Sequence, residues 1–300
     1  MSSTLNVVAT THNFNDRMQE NGPPSAGASR LHLTDTTASV REPAIAGRFY
    51  PDDPTELGRM VRVLLDAATP TDPGLGLPKA IVAPHAGYPY SGAVAAAAYA
   101  RLHGAADRIR RVVLLGPSHR VPFRGIATPA TRAYRTPLGV TPIDRAALDT
   151  IRDLEGVSEF DLPHVPEHSL EAHLPFLQVV LETFQLVPLV VGEASPQQVE
   201  AVLDRLWGGP ETLIVVSSDL SHFHDYDTAQ RLDAETTRAI EALDENAMVP
   251  ERACGCRPLA GLLRAARYRG MRVQTLDQRN SGDTAGPRDQ VVGYGAWTFQ

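Results

Sequence analysis

Short apolar runs of strand length, separated by stretches with helical periodicity, constrain this chain more than any other feature. Ile81-Val82-Ala83, Val112-Val113-Leu114-Leu115 and Leu213-Ile214-Val215-Val216 show no polar alternation. Strands of that kind are buried on both faces, as in a mainly parallel sheet covered by helices. Between them, Leu57, Met60, Val61, Leu64 and Leu65 predict a helix over 55–68, with Asp53-Pro54 as its start signal. Further helices are expected over 91–103, 144–154, 195–207, 227–244 and 257–269. One more is expected over 169–184, kinked or restarted at Pro175. Strands are expected over 79–83, 125–128, 186–191, 273–276 and 291–299, the last near an edge or paired antiparallel. The expected fold class is α/β: a single domain with a mixed, mainly parallel central sheet and helices on both faces. Residues 1–40 are polar without periodicity and are expected to form a disordered leader, so that the domain spans 41–300.

The 300 residues are 43% hydrophobic and carry a net charge of -7, which argues against a nucleic-acid surface. No apolar run approaches the roughly 20 residues of a membrane helix. The first residues lack the basic and apolar regions of a signal peptide. The two cysteines, Cys254 and Cys256, are one residue apart and poorly placed to bridge each other, which suits a reducing cytoplasm. Gly116-Pro117-Ser118 lacks the fingerprints of phosphate-binding loops.

The apolar runs share a second property. The first leads into Pro84-His85-Ala86-Gly87-Tyr88, the second into Gly116-Pro117-Ser118-His119, and the third into Ser217-Ser218-Asp219-Leu220-Ser221-His222. In an open α/β sheet, ligands bind outside the carboxyl ends of the strands. Three strands distant in sequence therefore deliver histidines and an aspartate to one place. Neutral imidazole is the commonest metal ligand. A lone loop histidine is as readily explained by a backbone hydrogen bond; two at strand ends favour ligation. Asp219 and His222 lie three apart on a turn or the first turn of a helix. That spacing suits His222 as a proton shuttle and Asp219 as its orienting partner, with an ordinary helix cap as the competing reading of Asp219. His224, two positions on, points elsewhere.

Cys254 precedes Gly255 and a predicted helix, where a thiol gains thiolate character. Thiolate is a soft ligand suited to zinc, iron or copper, and an inert buried cysteine is the alternative. The cluster Glu167-His168-Ser169-Leu170-Glu171-Ala172-His173 does not have His-Glu-x-x-His spacing, which excludes a zincin site. Glu167, His168 and Glu171 read as pocket wall, supporting hydrogen-bond partners or a helix cap. His12, His32 and His103 read as solvated, and His164 falls in a proline-rich loop.

Taken together these stretches resemble the Memo family, called AmmeMemoRadiSam system protein B in bacteria and archaea. The resemblance also covers Arg41-Glu42-Pro43-Ala44-Ile45-Ala46-Gly47-Arg48-Phe49-Tyr50-Pro51, Cys254-Gly255, Asn280-Ser281-Gly282-Asp283 and Val291-Val292-Gly293-Tyr294. It implies a fold similar to class III extradiol dioxygenases, which are non-haem Fe(II) enzymes. It implies that His85, His119 and Cys254 are metal ligands and that His222, with Asp219 beside it, is the acid/base. The dioxygenases have a carboxylate where this chain has Cys254. The expected activity is a dioxygenase-like, metal-dependent oxidoreductase acting on an unidentified small molecule, with Fe(II) first and copper or zinc as alternatives. A non-catalytic metal-binding or scaffold protein is the second expectation. The resemblance further implies AMMECR-type and radical-SAM protein partners; the charge and the lack of a long apolar run lead to no expectation of nucleic acid or membrane.

Overall fold

The apolar runs that end in histidine lie side by side at the centre of one sheet in the computed structural model, which describes residues 39–68 and 76–300. In chain order the strands are β1 (Val40–Arg41), β2 (Ala80–Ala83), β3 (Arg111–Pro117), β4 (Ile126–Thr128), β5 (Ala133–Thr136), β6 (Gly139–Pro142), β7 (Val157–Glu159), β8 (Gln185–Val191), β9 (Thr212–Ser217), β10 (His222–His224), β11 (Val273–Asn280) and β12 (Val291–Phe299). The helices are α1 (Pro54–Ala67), α2 (Tyr88–Ala100), α3 (Arg145–Asp149), α4 (Leu174–Val180), α5 (Pro196–Leu206), α6 (Tyr226–Glu241) and α7 (Cys256–Tyr268). The main sheet runs β10-β12-β2-β9-β3-β8-β4-β7, with β11 paired to β12. This is the α/β fold expected, with residues 38–300 forming one compact unit. The expected leader lies outside the described residues as far as residue 38, as does most of the loop before Lys79.

Register fixes what the strand ends share. β2, β9 and β3 are parallel, with Val82 opposite Val216 and Val216 opposite Leu115. Their carboxyl ends therefore open on one side of the sheet. Apart from Arg111 at the start of β3, their side chains are buried, as continuous apolar runs require. Helix α2 packs on β2 and β12, and α7 on β3 and β9. Three helices begin as the sequence dictates: Asp53 caps α1, Ser195 forms a capping box with Gln198 on α5, and Asp225 caps α6.

Three expectations change. The helix expected over 169–184 is a single 3₁₀ turn followed by α4, which ends at Val180. Pro175 lacks an amide proton and is tolerated only in the first helical turn, so the helix restarts there. The helix expected over 144–154 stops at Asp149, where the Thr150 hydroxyl donates back to the Ala147 carbonyl at 2.7 Å. β12 pairs antiparallel with β2 and β11, as anticipated. Residues 222–224 form a strand, so His222 does not follow Asp219 on a turn or helix. The hairpin β5–β6, which pairs with β1 in a separate three-stranded sheet, was not anticipated.

The segment from Arg41 to Tyr50 is tied down by one carboxylate. Glu171 is fully buried and ion-pairs with the Arg41 guanidinium. It also accepts from the backbone N–H groups of Ala44 (2.7 Å) and Ile45 (3.1 Å) and from the Tyr50 hydroxyl (2.5 Å). Arg41 donates in turn to the carbonyls of His164 and Glu167, at 3.0 and 2.5 Å. Removing one member strands a buried charge. Glu171→Ala should lower the unfolding free energy by about 3–5 kcal/mol, read from the shift of the denaturant midpoint. An unchanged midpoint would show that the segment is held by something else.

Candidate metal centre

His85 leaves β2 immediately after Ala83-Pro84, and its backbone N–H donates to Asp219 Oδ1 at 2.8 Å. Its imidazole is 2% exposed, and burial, together with the facing imidazoles of His119, His168, His173 and His222, holds its pKa well below the usual value. The ring is therefore neutral. Its Nδ1 lies 2.6 Å from Ser217 Oγ, which donates its own proton to the Ser169 carbonyl at 2.6 Å. A hydroxyl that has given its single proton away can only accept, so His85 Nδ1 carries the proton. Nε2 is left with a free lone pair, 3.4 Å from Cys254 Sγ.

His119 leaves β3 two residues beyond Pro117, and its tautomer is fixed in the same way. Its Nδ1 donates to Glu167 Oε1 at 2.9 Å, and its backbone N–H donates to Glu167 Oε2 at 2.7 Å. Glu167 Oε1 also accepts from the backbone N–H groups of His168 and Ser169, each at 2.9 Å. Burial alone would push the Glu167 carboxyl up. The His119 ring and these donors outweigh burial and hold it at about 2. A saturated carboxylate of this kind orients an imidazole and strengthens its other nitrogen as a donor.

Cys254 arrives from the N-terminal side of α7. Its sulfur accepts from the Asp219 backbone N–H at 3.3 Å. Gly255 is required by close approach, because a Cβ there would lie 2.4 Å from the Ser217 carbonyl oxygen. The expected lowering of the thiol pKa is not found. Burial pushes it up, and the neighbouring Asp219 carboxylate adds to that. The helix N-terminus is outweighed by desolvation in the absence of a cation. Both cysteines are free thiols.

One ligand atom from each of His85, His119 and Cys254 falls within 4.8 Å of the other two. Donors placed roughly 2.0–2.3 Å from a shared ion in tetrahedral geometry stand about 3.3–3.8 Å apart, so the 3.4 Å between sulfur and imidazole fits a common ion. The donor set of two imidazoles and a thiol suits zinc, iron or copper. A second grouping of His119, Glu167 and His168 meets the same distance test. Glu167 is already committed to four donors there, so this grouping orients His119 instead of holding a second ion.

Asp219 is buried beside His85, its Oδ2 3.8 Å from Nε2. It caps no helix. Burial raises its pKa, opposed by the backbone bond from His85. His222 is partly buried on β10, and its charge acts on both His85 and Asp219. Its loop is pinned by Asp233 of α6, which accepts from the Ser221 N–H at 3.0 Å, and by Gly293, which donates to the Ser221 carbonyl at 2.8 Å. A Cβ on Gly293 would lie 1.9 Å from Asp233 Oδ2, so any other residue there would push the Asp233 carboxylate out of place. The intervening Phe223 adopts φ 63° and is 70% exposed, at the register shift of β10. Such left-handed backbone in a bulky residue costs about 1–3 kcal/mol and gathers at functional sites.

Several histidines differ from expectation or lay beyond it. His168 stacks on His119 with ring centroids 4.5 Å apart and meets His85 edge-on at 5.3 Å. His173 is buried, with Nδ1 2.7 Å from the Tyr99 hydroxyl. His164 lies in a loop as expected but is buried there, between the Tyr134 hydroxyl at 2.6 Å and the Ala127 carbonyl at 3.0 Å. A cleft of about 190 Å³ borders Cys254 and is lined by Ser118, Val121, Phe123, Val191, Arg257 and Pro258 among others. Among the described residues no helix is long and apolar enough to cross a membrane.

Comparison with known proteins places this geometry in context. Residues 41–298 match the profile of the family described as Memo-like protein. The chain is 38% identical over 287 residues to the MEMO1 family protein MK0963 of Methanopyrus kandleri, covering 87% of this chain and 99% of that protein. It is 34% identical over 267 residues to a MEMO1 family protein of Aquifex aeolicus, covering 85% and 97%. A MEMO1 family protein of Thermotoga maritima is 32% identical over 273 residues, with the same coverage of 85% and 97%.

The buried imidazoles set a pH dependence. Burial holds His164 and His173 at about 3 and His168 at about 4. In the unfolded chain the same rings take up protons near 6.5. The unfolded state therefore binds more protons below that pH, and stability falls as pH drops from 6.5 towards these values. Asp233, pushed up to about 6 by burial, and Asp219 act in the opposite sense and are outnumbered. Equilibrium unfolding of metal-free protein should show a stability that declines from about pH 7 to pH 4. A flat profile would contradict burial of these rings in the neutral form.

Proposed function

The chain belongs to the Memo family, and on that premise we propose that His85, His119 and Cys254 hold one transition-metal ion and that the protein is a metal-dependent oxidoreductase acting on a small substrate. The observation that carries this reading is the pair of committed tautomers. Both imidazoles spend their Nδ1 proton on a fixed acceptor, Ser217 for His85 and Glu167 for His119. Each has Nε2 left as its remaining ligand atom, and a thiol stands 3.4 Å from the first of them. Fe(II) is the ion favoured, with copper or zinc as alternatives. The ion would supply Lewis acidity and, as iron or copper, a one-electron couple.

The remaining steps belong to the protein. His222, partly exposed on its pinned strand, moves the proton to or from substrate. Asp219 orients His85 through its backbone N–H and supports the charge on His222. The cleft beside Cys254 takes the body of the substrate, with Phe123 and Val191 as apolar walls. The two unbridged thiols suit a reducing cytoplasm.

Protein purified anaerobically should contain about one equivalent of metal, and His85→Ala and Cys254→Ser should each lose it by elemental analysis. Bound iron or copper should give a sulfur-to-metal absorption band absent in Cys254→Ser, whereas zinc would give none. His222→Gln should keep its metal and slow turnover by about 10²–10⁴-fold. Full metal content in both ligand variants would overturn the assignment.

A further inference from the structure

Five tyrosines are buried among the described residues: Tyr50, Tyr88, Tyr99, Tyr134 and Tyr294. Four of them spend the hydroxyl on a protein partner. Tyr50 donates to Glu171 at 2.5 Å, and Tyr88 donates to the Ala172 carbonyl at 2.8 Å. Tyr99 meets His173 Nδ1 at 2.7 Å, and Tyr134 meets His164 Nδ1 at 2.6 Å. Tyr294 is 2% exposed, yet among the described residues its hydroxyl makes no hydrogen bond. That oxygen is not one of the fully enclosed polar atoms without a partner, so part of the small surface Tyr294 keeps belongs to it. A buried phenol normally finds a partner within the fold. This one keeps its donor for a group from outside the chain.

Its place in the sheet brings that donor to the candidate centre. The Leu220 N–H donates to the Gly293 carbonyl and the Gly293 N–H to the Ser221 carbonyl, each at 2.8 Å. Tyr294 follows directly on this rung, which joins β12 to the segment carrying Asp219 and His222. On the other side Trp297 pairs antiparallel with Val82, and that register, continued by three residues, sets Tyr294 opposite His85. Side chains alternate along a strand. A Cβ on Gly293 would meet the Asp233 carboxylate of α6, and one on Gly295 would meet the Trp297 ring, so Tyr294 projects from the face opposite α6. Burial holds the phenol pKa above its usual value, and the Asp219 carboxylate and Tyr90, in the first turn of α2, add to that. The hydroxyl therefore keeps its proton through the neutral range, as a donor and not a base.

We propose that Tyr294 is a further catalytic residue of the centre, its hydroxyl donating a hydrogen bond to a carbonyl or hydroxyl oxygen of the substrate. This deepens the reading of the site as one that acts on a small molecule, and it rests on that reading. In the sheet order β12-β2-β9-β3-β8, His85 and His119 stand between Tyr294 and the Val191 wall of the cleft. The oxygen that Tyr294 takes therefore belongs to the part of the substrate at the ion, and the cleft holds the rest. His222 exchanges a proton with the substrate. Tyr294 keeps its own, and so fixes the oxygen and supports the charge that develops on it.

Acetohydroxamic acid, a small ligand that is uncharged in neutral solution and offers two oxygens to an ion, is the probe, titrated calorimetrically into the metal-loaded full chain. Tyr294→Phe should weaken its binding by about tenfold with metal content unchanged. Denaturant midpoints of the metal-free protein separate this role from a structural one. Tyr294→Phe removes a hydroxyl on which no described protein group depends and should leave the midpoint where it is. Tyr134→Phe, which strips His164 of its partner, should lower it. Equal affinity for the probe in Tyr294→Phe and the parent, or no binding of the probe to the loaded parent, would overturn the proposal by showing that the hydroxyl meets no ligand oxygen. A lowered midpoint in Tyr294→Phe would overturn it by showing that the hydroxyl serves the fold. Failure of the metal reading is seen separately, as absence of metal uptake in the parent protein.

Discussion

The Ser217 hydroxyl has one proton, and it goes to the Ser169 carbonyl. Everything proposed for the centre depends on that commitment. It forces His85 Nδ1 to donate, which leaves Nε2 bare and faces it towards a thiol. Ser217 is the last residue of β9 and lies opposite Ala83, two residues before His85. The sheet register that builds the core therefore also sets the protonation of the site. Glu167 repeats the device on the neighbouring strand, with a carboxylate in place of the hydroxyl. Two imidazoles are thus held in the one tautomer a metal can use before any metal arrives, which lowers the reorganisation needed on binding.

Around these two rings the chain assembles an unusually dense set of buried polar groups. His164, His173, Glu171 and Asp233 are all taken out of water, and the described hydrogen bonds account for most of their polar atoms. Their cost is a fold that loses stability in acid; their return is rigidity. The Arg41–Glu171 pair fixes the turn that carries Arg48 and Phe49, and Asp233 fixes the strand that carries His222. The strained Phe223 stands two residues after Ser221, whose backbone Asp233 and Gly293 hold. Strain of that kind survives only where neighbours over-determine the backbone.

Much of this was legible in the sequence, for physical reasons. Continuous apolar runs read directly as buried parallel strands, and a histidine just past each run reads as a side chain at a strand end. The meeting of His85, His119 and Cys254 followed from those two facts together with a family resemblance that a profile over residues 41–298 bears out. What failed was governed by tertiary contacts that propensity does not carry. The stretch before Pro175 has helical composition, yet Glu167 and Glu171 turn its backbone into a set of donors and anchors. The thiol of Cys254 sits beside a helix start, but desolvation outweighs the dipole. His164 is the loop residue it looked like, but its burial was hidden because the Tyr134 and Ala127 partners lie about 30 to 40 positions away.

The central claim is that two imidazole nitrogens and one sulfur share an ion. X-ray absorption at the metal edge of the purified protein measures that set directly. The account predicts one sulfur scatterer at about 2.3 Å and two imidazole nitrogens at about 2.0–2.1 Å, with the sulfur lost in Cys254→Ser. A first coordination sphere of oxygen and nitrogen alone, the same in parent and variant, would contradict it.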